Sequence, residues 1–277
     1  NIRSDAVDLS VLEGFTTAVR RASGTFTLNA DLAGTVERPL VGGALQVANG
    51  AFTLPRAGID LRGVVADVGF AGDSIVVRRI AAASGRERGS SLTIRGGLGL
   101  AEPKDPTFDL TIAARDFHAV SLPRVADLDV STTPDLRLTG RLSGATLTGG
   151  VRVERGVIFL PEFSRKQVID LDDPEFANVV DTATFGDRSL LPGAPSALLR
   201  NLALRGVGIG MGDEVWLRGP EANINLGGRL NLQTAPLRSG DGERRLALDG
   251  ILTANRGTYR LNLGVVQRTF VIERGSL

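Results

Sequence analysis

The stretch Gly43-Ala-Leu-Gln-Val-Ala-Asn-Gly-Ala-Phe-Thr-Leu-Pro55 decides the fold of this chain. On either side of Asn49-Gly50, an apolar residue stands at every second position. Successive side chains of a strand point to opposite faces, so this period of two predicts β-structure. Asn-Gly between two alternating runs is typical of a tight hairpin turn, because both residues tolerate positive φ. We therefore predict two short strands joined at Asn49-Gly50.

The same pattern recurs twice further along the chain. Residues 149–161 repeat it almost position by position, and residues 250–262 repeat it without the final proline. Arg155-Gly156 and Arg256-Gly257 take the place of Asn49-Gly50, and there glycine alone supplies the permissive backbone. The alternating apolar residues of the three copies are Leu45, Val47, Phe52, Leu54, Val151, Val153, Ile158, Leu160, Leu252, Tyr259 and Leu261.

A second pattern places a glycine in the middle of an alternating apolar run. Leu92, Ile94, Gly96, Leu98 and Leu100 are one instance, and similar runs surround three other glycines, namely Gly140, Gly228 and Gly250. Such a strand has one continuous apolar face, and the glycine favours a bend or a close approach of backbone. The chain is therefore predicted to be all-β, with a long, curved, antiparallel-rich sheet.

Two segments depart from the alternation. Apolar residues from Leu9 to Val19 fall at helical spacing, which predicts a short helix over residues 8–22. Residues 162–200 lose the alternation and are predicted to be a helical and loop insertion at an edge or end of the sheet. We predict one continuous β-fragment over 1–277, with a first β section at 24–161 and a second at 201–277.

Composition excludes several classes of protein. The chain has 277 residues, 42% hydrophobic and 23% charged, with a net charge of +1, so no nucleic-acid partner is expected. It has no cysteine and one histidine, which excludes thiolate and multi-histidine metal sites. No apolar run approaches the ~20 residues needed to cross a bilayer, so no transmembrane segment is expected in this fragment.

Catalytic motifs are missing from the sequence. His118 has no G-x-S-x-G element or other nucleophile motif to serve. The acidic run Asp170–Glu175 lacks the spacing of a calcium loop and reads as a helix cap. The glycines of Gly206–Gly212 alternate as in a strand, which is a better interpretation than a phosphate loop. We expect no enzyme, no cofactor and no bound metal.

The apolar strand faces must be covered, since each buried aliphatic side chain contributes ~1.5–3 kcal/mol. A second sheet, closure into a barrel, or a ligand in an open trough could cover them. A membrane barrel is disfavoured, because it would need girdles of aromatic residues and the chain has one Trp and one Tyr. Long strands with central glycines favour a folded-over sheet with an apolar interior.

Two segments carry a resemblance to a known family. They are the succession from Leu32 to Gly50, with its echo from Leu138 to Pro161, and the ending Arg256–Gly264 followed by Phe270–Gly275. In these the chain resembles the carboxy-terminal region of the TamB family, the translocation and assembly module subunits of Gram-negative envelopes. That family is similar to AsmA-like, bridge-like lipid transfer proteins.

The resemblance implies a fold and a function. It implies an elongated β-taco groove in the periplasm, within a longer protein anchored to the inner membrane. Phospholipid acyl chains would travel along this groove, and the eleven apolar residues given above would line it. A TamA-like barrel of the Omp85 family would be the outer-membrane partner. Alternatively, the sheet would assist insertion of outer-membrane β-barrel proteins by strand pairing. A polysaccharide-active β-solenoid enzyme is disfavoured, because the charged residues largely alternate to the face opposite the apolar ones.

Overall fold

The fold is all-β. A computed structural model describes residues 2–35, 39–85, 89–160, 201–236, 244–262, 267–273 and 275–276. The strands are β1 Ile2–Asp8, β2 Arg20–Gly34, β3 Pro39–Leu54, β4 Ile59–Gly72, β5 Ser74–Ser84, β6 Ser91–Gly99, β7 Thr107–Arg115, β8 Phe117–Leu122, β9 Ala126–Thr132, β10 Leu136–Arg141, β11 Thr146–Thr148, β12 Gly150–Phe159, β13 Ala203–Leu204, β14 Val207–Arg218, β15 Ala222–Pro236, β16 Arg244–Asn262, β17 Gln267–Ile272 and β18 Gly275–Ser276.

The strands form two large sheets, and neither closes into a barrel. The first sheet has ten strands in the order β1-β2-β3-β4-β5-β6-β7-β10-β11-β13. The second has eight, in the order β17-β16-β15-β14-β12-β9-β8, with β18 also paired to β16. Most pairs are antiparallel, and β11–β13 and β12–β14 are parallel. The prediction of a curved, antiparallel-rich all-β fold is confirmed.

The chain passes between the sheets at short corners. β7 and β8 are separated only by Asp116, which has φ 43°. β11 and β12 are separated only by Gly149, which has φ 115°. Strands β9–β10 and β11–β12 therefore form one long hairpin that is bent across both sheets. As a result, the predicted sections 24–161 and 201–277 do not correspond to the two sheets.

The amino-terminal helix is shorter than predicted. A 3-10 helix covers Leu9–Gly14, and Asp8 caps it by accepting a hydrogen bond from the backbone N–H of Ser10 at 2.7 Å. The hydroxyl and the N–H of Ser10 hold the pKa of Asp8 below its ordinary value. The predicted helical range 8–22 is wrong in its second half, because β2 begins at Arg20 and pairs there with Thr53 of β3. Sheet pairing overrides the local helical spacing.

The hairpin predicted at Asn49-Gly50 is also wrong. β3 runs unbroken from Pro39 to Leu54 and pairs with β4 on both sides of that dipeptide. The register shifts between Val47 and Gly50, and Asn49 has φ 51°, which together describe a β-bulge. Equivalent shifts fall next to Arg155 in β12 and Asn255 in β16. The repeated motif is therefore one long strand with a bulge at its centre.

The bulge decides which side chains share a face. An extra residue inverts the alternation, so the apolar positions before and after Asn49 point to the same side of the sheet. Without the bulge, Phe52 would lie on the face opposite Val47. Instead, Val47, Gly50 and Phe52 pair with Ala66, Val64 and Leu61 of β4, which are also apolar. We call this apolar side of each sheet the inner face.

The two sheets meet through a packed core. Phe117 of β8 lies with Ile59, Leu61 and Val64 of β4 and with Ala82 of β5, each at most 9% exposed. Phe52 and Leu54 pack against this cluster from β3. The edge of β8 is further joined to the first sheet, since Ser121 N donates to the Ala57 carbonyl at 2.7 Å. The inner faces of the sheets are therefore turned toward each other at β8.

The predicted insertion at residues 162–200 lies outside the described residues. Within the described ranges, no helix is long and apolar enough to cross a bilayer.

Candidate functional site

The inner face of the first sheet carries a continuous row of apolar side chains. We call it the Phe26 row; partners in register continue it strand by strand from β1 to β10. Every member is half-buried, and none is buried. The members are Val7, Phe26, Val47, Ala66, Ile80, Ile94, Ile112 and Leu136.

A second row runs beside the first, offset by two residues on each shared strand and by three on β5, where the register shifts. It extends from β2 to β13 and holds no charged or polar side chain; its only interruption is Gly96. Val68, Val77 and Leu138 are buried, and the other side chains are half-buried. This Leu45 row comprises Leu28, Leu45, Val68, Val77, Gly96, Leu110, Leu138, Leu147 and Leu204.

The length of the rows sets what they can hold. Neighbouring strands lie ~4.8 Å apart, so a row that crosses nine strands spans roughly 38 Å. That exceeds the ~30 Å hydrocarbon core of a bilayer. The rows therefore present an apolar track, perpendicular to the strands, longer than two opposed acyl tails.

The second sheet has matching rows. One extends from β8 to β16 through Val120, Leu128, Gly156, Val215, Leu226 and Ala254. Another extends from β8 to β17 through Leu122, Ala126, Ile158, Leu217, Ile224, Gly257 and Ile272. Neither row contains a charged side chain, so the inner faces of both sheets have the same chemistry.

The outer faces are polar and charged. Arg78 Nη1 lies 2.8 Å from Asp67 Oδ1, and Arg137 Nη2 lies 3.0 Å from Asp109 Oδ1. These side chains are about half exposed or more, so the pairs contribute little to stability. The outer face therefore carries charged side chains exposed to water. The inner face carries apolar side chains and needs an apolar partner.

Glycine is required where strands of the inner face come closest. Gly96 has φ 131°, and a Cβ added there would overlap the backbone carbonyl oxygen of Asp109 in β7. Gly250 has φ 136°, and a Cβ there would overlap the Arg229 carbonyl in β15. Both glycines therefore stand where two backbones come close, as predicted for the central glycines.

The eleven residues predicted to line a groove fall on the strands as follows. Leu45 and Val47 belong to the two rows of the first sheet, and Phe52 and Leu54 pack at the core cluster. On β12 the register places Val151, Val153 and Ile158 on the inner face, and Leu160 follows the strand. On β16 it places Leu252, Tyr259 and Leu261 on that face; Tyr259 is 36% exposed.

Most members of the rows were missed by sequence reasoning. Phe26, Ile80 and Ile112 stand in strands that do not carry the repeated motif. Their signal was present as simple alternation, as in Phe26, Leu28 and Ala30 of β2. Alternation alone could have found the residues, whereas their alignment into rows requires the register.

The single histidine takes part in a polar network on the outer side of the second sheet. Its Nδ1 lies 2.7 Å from Oδ1 of Asp129, whose Oδ2 accepts from Nε of Arg155 at 2.7 Å. Ser84 Oγ donates to the backbone carbonyl of His118, and this bond does not involve the ring. Ser84, His118 and Asp129 border a polar cavity of about 410 Å³. Among the described residues, no group of His, Asp and Glu is arranged to hold a metal ion.

The glycine run predicted to be a strand is confirmed as one. β14 covers Val207–Arg218 and pairs with β12 and β15, so its amides are committed to the sheet.

Comparison with known proteins gives one match. The family described as TamB C-terminal domain matches residues 78–277. No curated protein and no solved structure matches the chain. The matched range includes the strands from the middle of β5 to the end of the chain.

Proposed function

The chain belongs to the TamB C-terminal domain family, whose members act in transport within the bacterial envelope, and from this premise we propose that its inner faces form a groove that conducts phospholipids. In this proposal the groove lies in the periplasm, in a longer protein anchored to the inner membrane, and carries lipids between the inner and outer membranes. A TamA-like barrel is the family's partner at the outer membrane. No bond is made or broken, so no catalytic residue and no cofactor is assigned.

The observation that carries the proposal is the pair of uncharged rows on the first sheet. An acyl chain offers no hydrogen-bonding group, so a site for it needs apolar area and few polar contacts. Every residue of the Phe26 row is half-buried, which leaves apolar area for a hydrocarbon chain to cover. The charged headgroup would stay at the rim, in water, because an unpaired charge is costly to bury.

A matched pair of substitutions tests the groove. Leu252 is half-buried on the inner face of β16, and Ile251 is its neighbour on the outer face, 60% exposed. We expect Leu252→Arg in the full-length protein to reduce co-purifying phospholipid, extracted with organic solvent and measured by mass spectrometry. Ile251→Arg should leave the lipid content unchanged, since it puts the same charge in water.

Two results would count against conduction. The first is an absence of co-purifying phospholipid from both the wild-type protein and the Ile251→Arg variant. The second is Leu252→Arg protein that keeps the wild-type lipid content while its strand content, measured by circular dichroism, is intact.

A second function, strand-pairing assistance to outer-membrane β-barrel proteins, is favoured by β17. In the described part of the chain this strand pairs with β16 on one side only. Phe270 and Val271 are 51% and 74% exposed, so the strand is apolar on both faces. An unpaired apolar edge is suited to pairing with another chain.

This function can be separated from conduction by an edge charge. We expect Val271→Lys to abolish disulfide crosslinks between cysteines introduced into β17 and cysteines introduced into nascent barrel strands, while lipid content stays normal. Ile251→Lys is the control, since it puts the same charge on an exposed outer-face site of a central strand. Crosslinks to lipid alone, with none to barrel proteins, would reject the assembly function.

A further inference from the structure

We propose that the 3-10 helix Leu9–Gly14, with Phe15 after it, is part of the lipid-contacting surface and forms a wall of the groove beside β2 and β3. This inference rests on the proposed conduction of phospholipids. It adds three residues that the repeat does not contain, Val11, Leu12 and Phe15, and assigns them contact with an acyl chain.

The helix lies on the inner face. Leu9 is 4% exposed, and its Cδ1 stands 3.2 Å from where a Cβ would be placed on Gly50. The same point is 3.0 Å from Cβ of Val64 and 3.2 Å from Cγ1 of Val47, two inner-face residues. Leu9 therefore fills the space left by Gly50, and the helix crosses from the end of β1 onto the apolar side of the sheet.

The position of the helix matches that of a wall. The second sheet begins at β8, which packs against β4 and β5. In the first sheet, β2 and β3 are the neighbours of β4 on its other side. The helix packs on β2 and β3, on the same inner face on which β8 packs against β4 and β5. The helix thus continues, at one end of the groove, the side that the second sheet forms elsewhere.

After Leu9, the helix and the residue that follows it carry three exposed apolar side chains. Val11 is 42% exposed, Leu12 36% and Phe15 87%. The polar contacts of the helix are taken up internally, because Asp8 caps Ser10 N and Glu13 Oε1 accepts from the N–H of Ala22 at 2.7 Å. Three exposed apolar side chains close together in sequence, on an element tied down in this way, offer a contact surface to an apolar partner.

The Phe26 row supplies the argument for an acyl chain as that partner. Val7, the member of the row in β1, lies two residues before Leu9, so the row leads directly to the helix. The row has no charged or hydrogen-bonding side chain that would select a peptide. Hydrocarbon that lies along the row would pass beside the helix and cover its exposed side chains.

Fluorescence quenching by brominated lipid tests this contact. Trp216 is the single tryptophan, so Trp216→Phe gives a dark background for single reporters. We compare Phe15→Trp, Leu45→Trp in the groove and Ile251→Trp on the outer face, each in that background. The probe is a vesicle of phosphatidylethanolamine and phosphatidylglycerol with brominated acyl chains. We expect the emission of the first two variants to be quenched several-fold more than that of the third.

The outcomes separate this inference from the proposed function. Quenching in Leu45→Trp without quenching in Phe15→Trp would leave conduction standing and overturn the role of the helix. Absence of quenching in both would overturn conduction and, with it, this inference. Equal quenching in Ile251→Trp would mean nonspecific adsorption to vesicles and would overturn the assignment as well. Phe15 is almost fully exposed, so its substitution leaves the fold intact.

Discussion

The side-chain amide of Asn255 in β16 donates a hydrogen bond to Oδ1 of Asn225 in β15 at 3.1 Å. The contact joins the two strands at the point where their register shifts. Asn255 is the extra residue of the bulge in β16, since Asn225 pairs with Arg256 and Leu226 pairs with Ala254. Asn225 is 2% exposed and donates in turn to the carbonyl oxygens of Asp213 and Val215, at 2.8 and 3.1 Å. Asn225 thus connects the bulges of β14 and β16.

Asn225→Ala should destabilise the protein by about 1–3 kcal/mol, because it removes two donors to backbone carbonyls and leaves the Asn255 amide without this acceptor. Urea unfolding followed by Trp216 fluorescence measures the change. Asn223→Ala is the matched control, since Asn223 is an exposed asparagine on the same strand and face. Equal losses in the two variants would show that the buried network adds nothing.

Gly96→Ala should cost about 2 kcal/mol or more, because the backbone is held at φ 131° and the new methyl group would overlap the Asp109 carbonyl. Gly208→Ala provides the comparison. Gly208 also stands in a strand, but it has open space around its missing Cβ and an ordinary φ. Thermal unfolding should separate the variants, and a Gly96→Ala protein as stable as wild type would contradict the close approach of β6 and β7.

Phe117→Ala should destabilise by about 3–5 kcal/mol, because it empties the centre of the cluster that joins the two sheets. Phe159→Ala, at a phenylalanine that is 36% exposed in the same sheet, should cost much less. The difference in denaturation midpoint between the two variants is the measurement. Similar midpoints would mean that the sheets do not depend on this core.

Asp105 should contribute stability that depends on pH. The N–H and the hydroxyl of Ser143 each bond its carboxylate at 2.8 Å and hold the pKa of Asp105 below its ordinary value of 3.8. A carboxyl whose pKa is lower in the folded state stabilises the fold above the unfolded pKa, and this stability is lost as the pH falls through the folded pKa. Asp105→Asn should therefore lower the unfolding midpoint at pH 7, and its effect should shrink as the pH falls toward 2.

The control for that experiment is Asp109→Asn. Asp109 meets Arg137 between two largely exposed side chains, where an ion pair contributes little. A loss in Asp105→Asn that is the same at pH 7 and pH 2 would show that its carboxylate charge is not what Ser143 stabilises.

The helical spacing near the amino terminus shows the limit of local patterns. Asp8 caps the helix, yet the helix ends at Gly14 where the helical spacing continued to Val19. Residues from Arg20 onward gain backbone hydrogen bonds by pairing with β3. A short helix has few such bonds to offer in exchange, and the sequence of the segment does not contain its partner strand.

For the candidate groove, too, one part could be predicted from local sequence and another part could not. The apolar residues of the repeat could be named from alternation, because the period of two is a property of the strand itself. The two rows could not be named, because a row is made by register between successive strands, and one row extends from Leu28 to Leu204 in sequence. Val77 and Leu204 belong to the same row only because every intervening pair is in register.

By itself, the sequence determined that the chain forms long strands with one apolar and one wettable face, and that glycines stand where backbones come close. Only the tertiary structure decided what happens at Asn49-Gly50, where the chain continues through a bulge and keeps its apolar residues on one face. The reason is that a positive φ at Asn49 suits a turn and a bulge equally well. The choice was made by β4, which pairs with β3 on both sides of the dipeptide and so keeps the chain in one continuous strand.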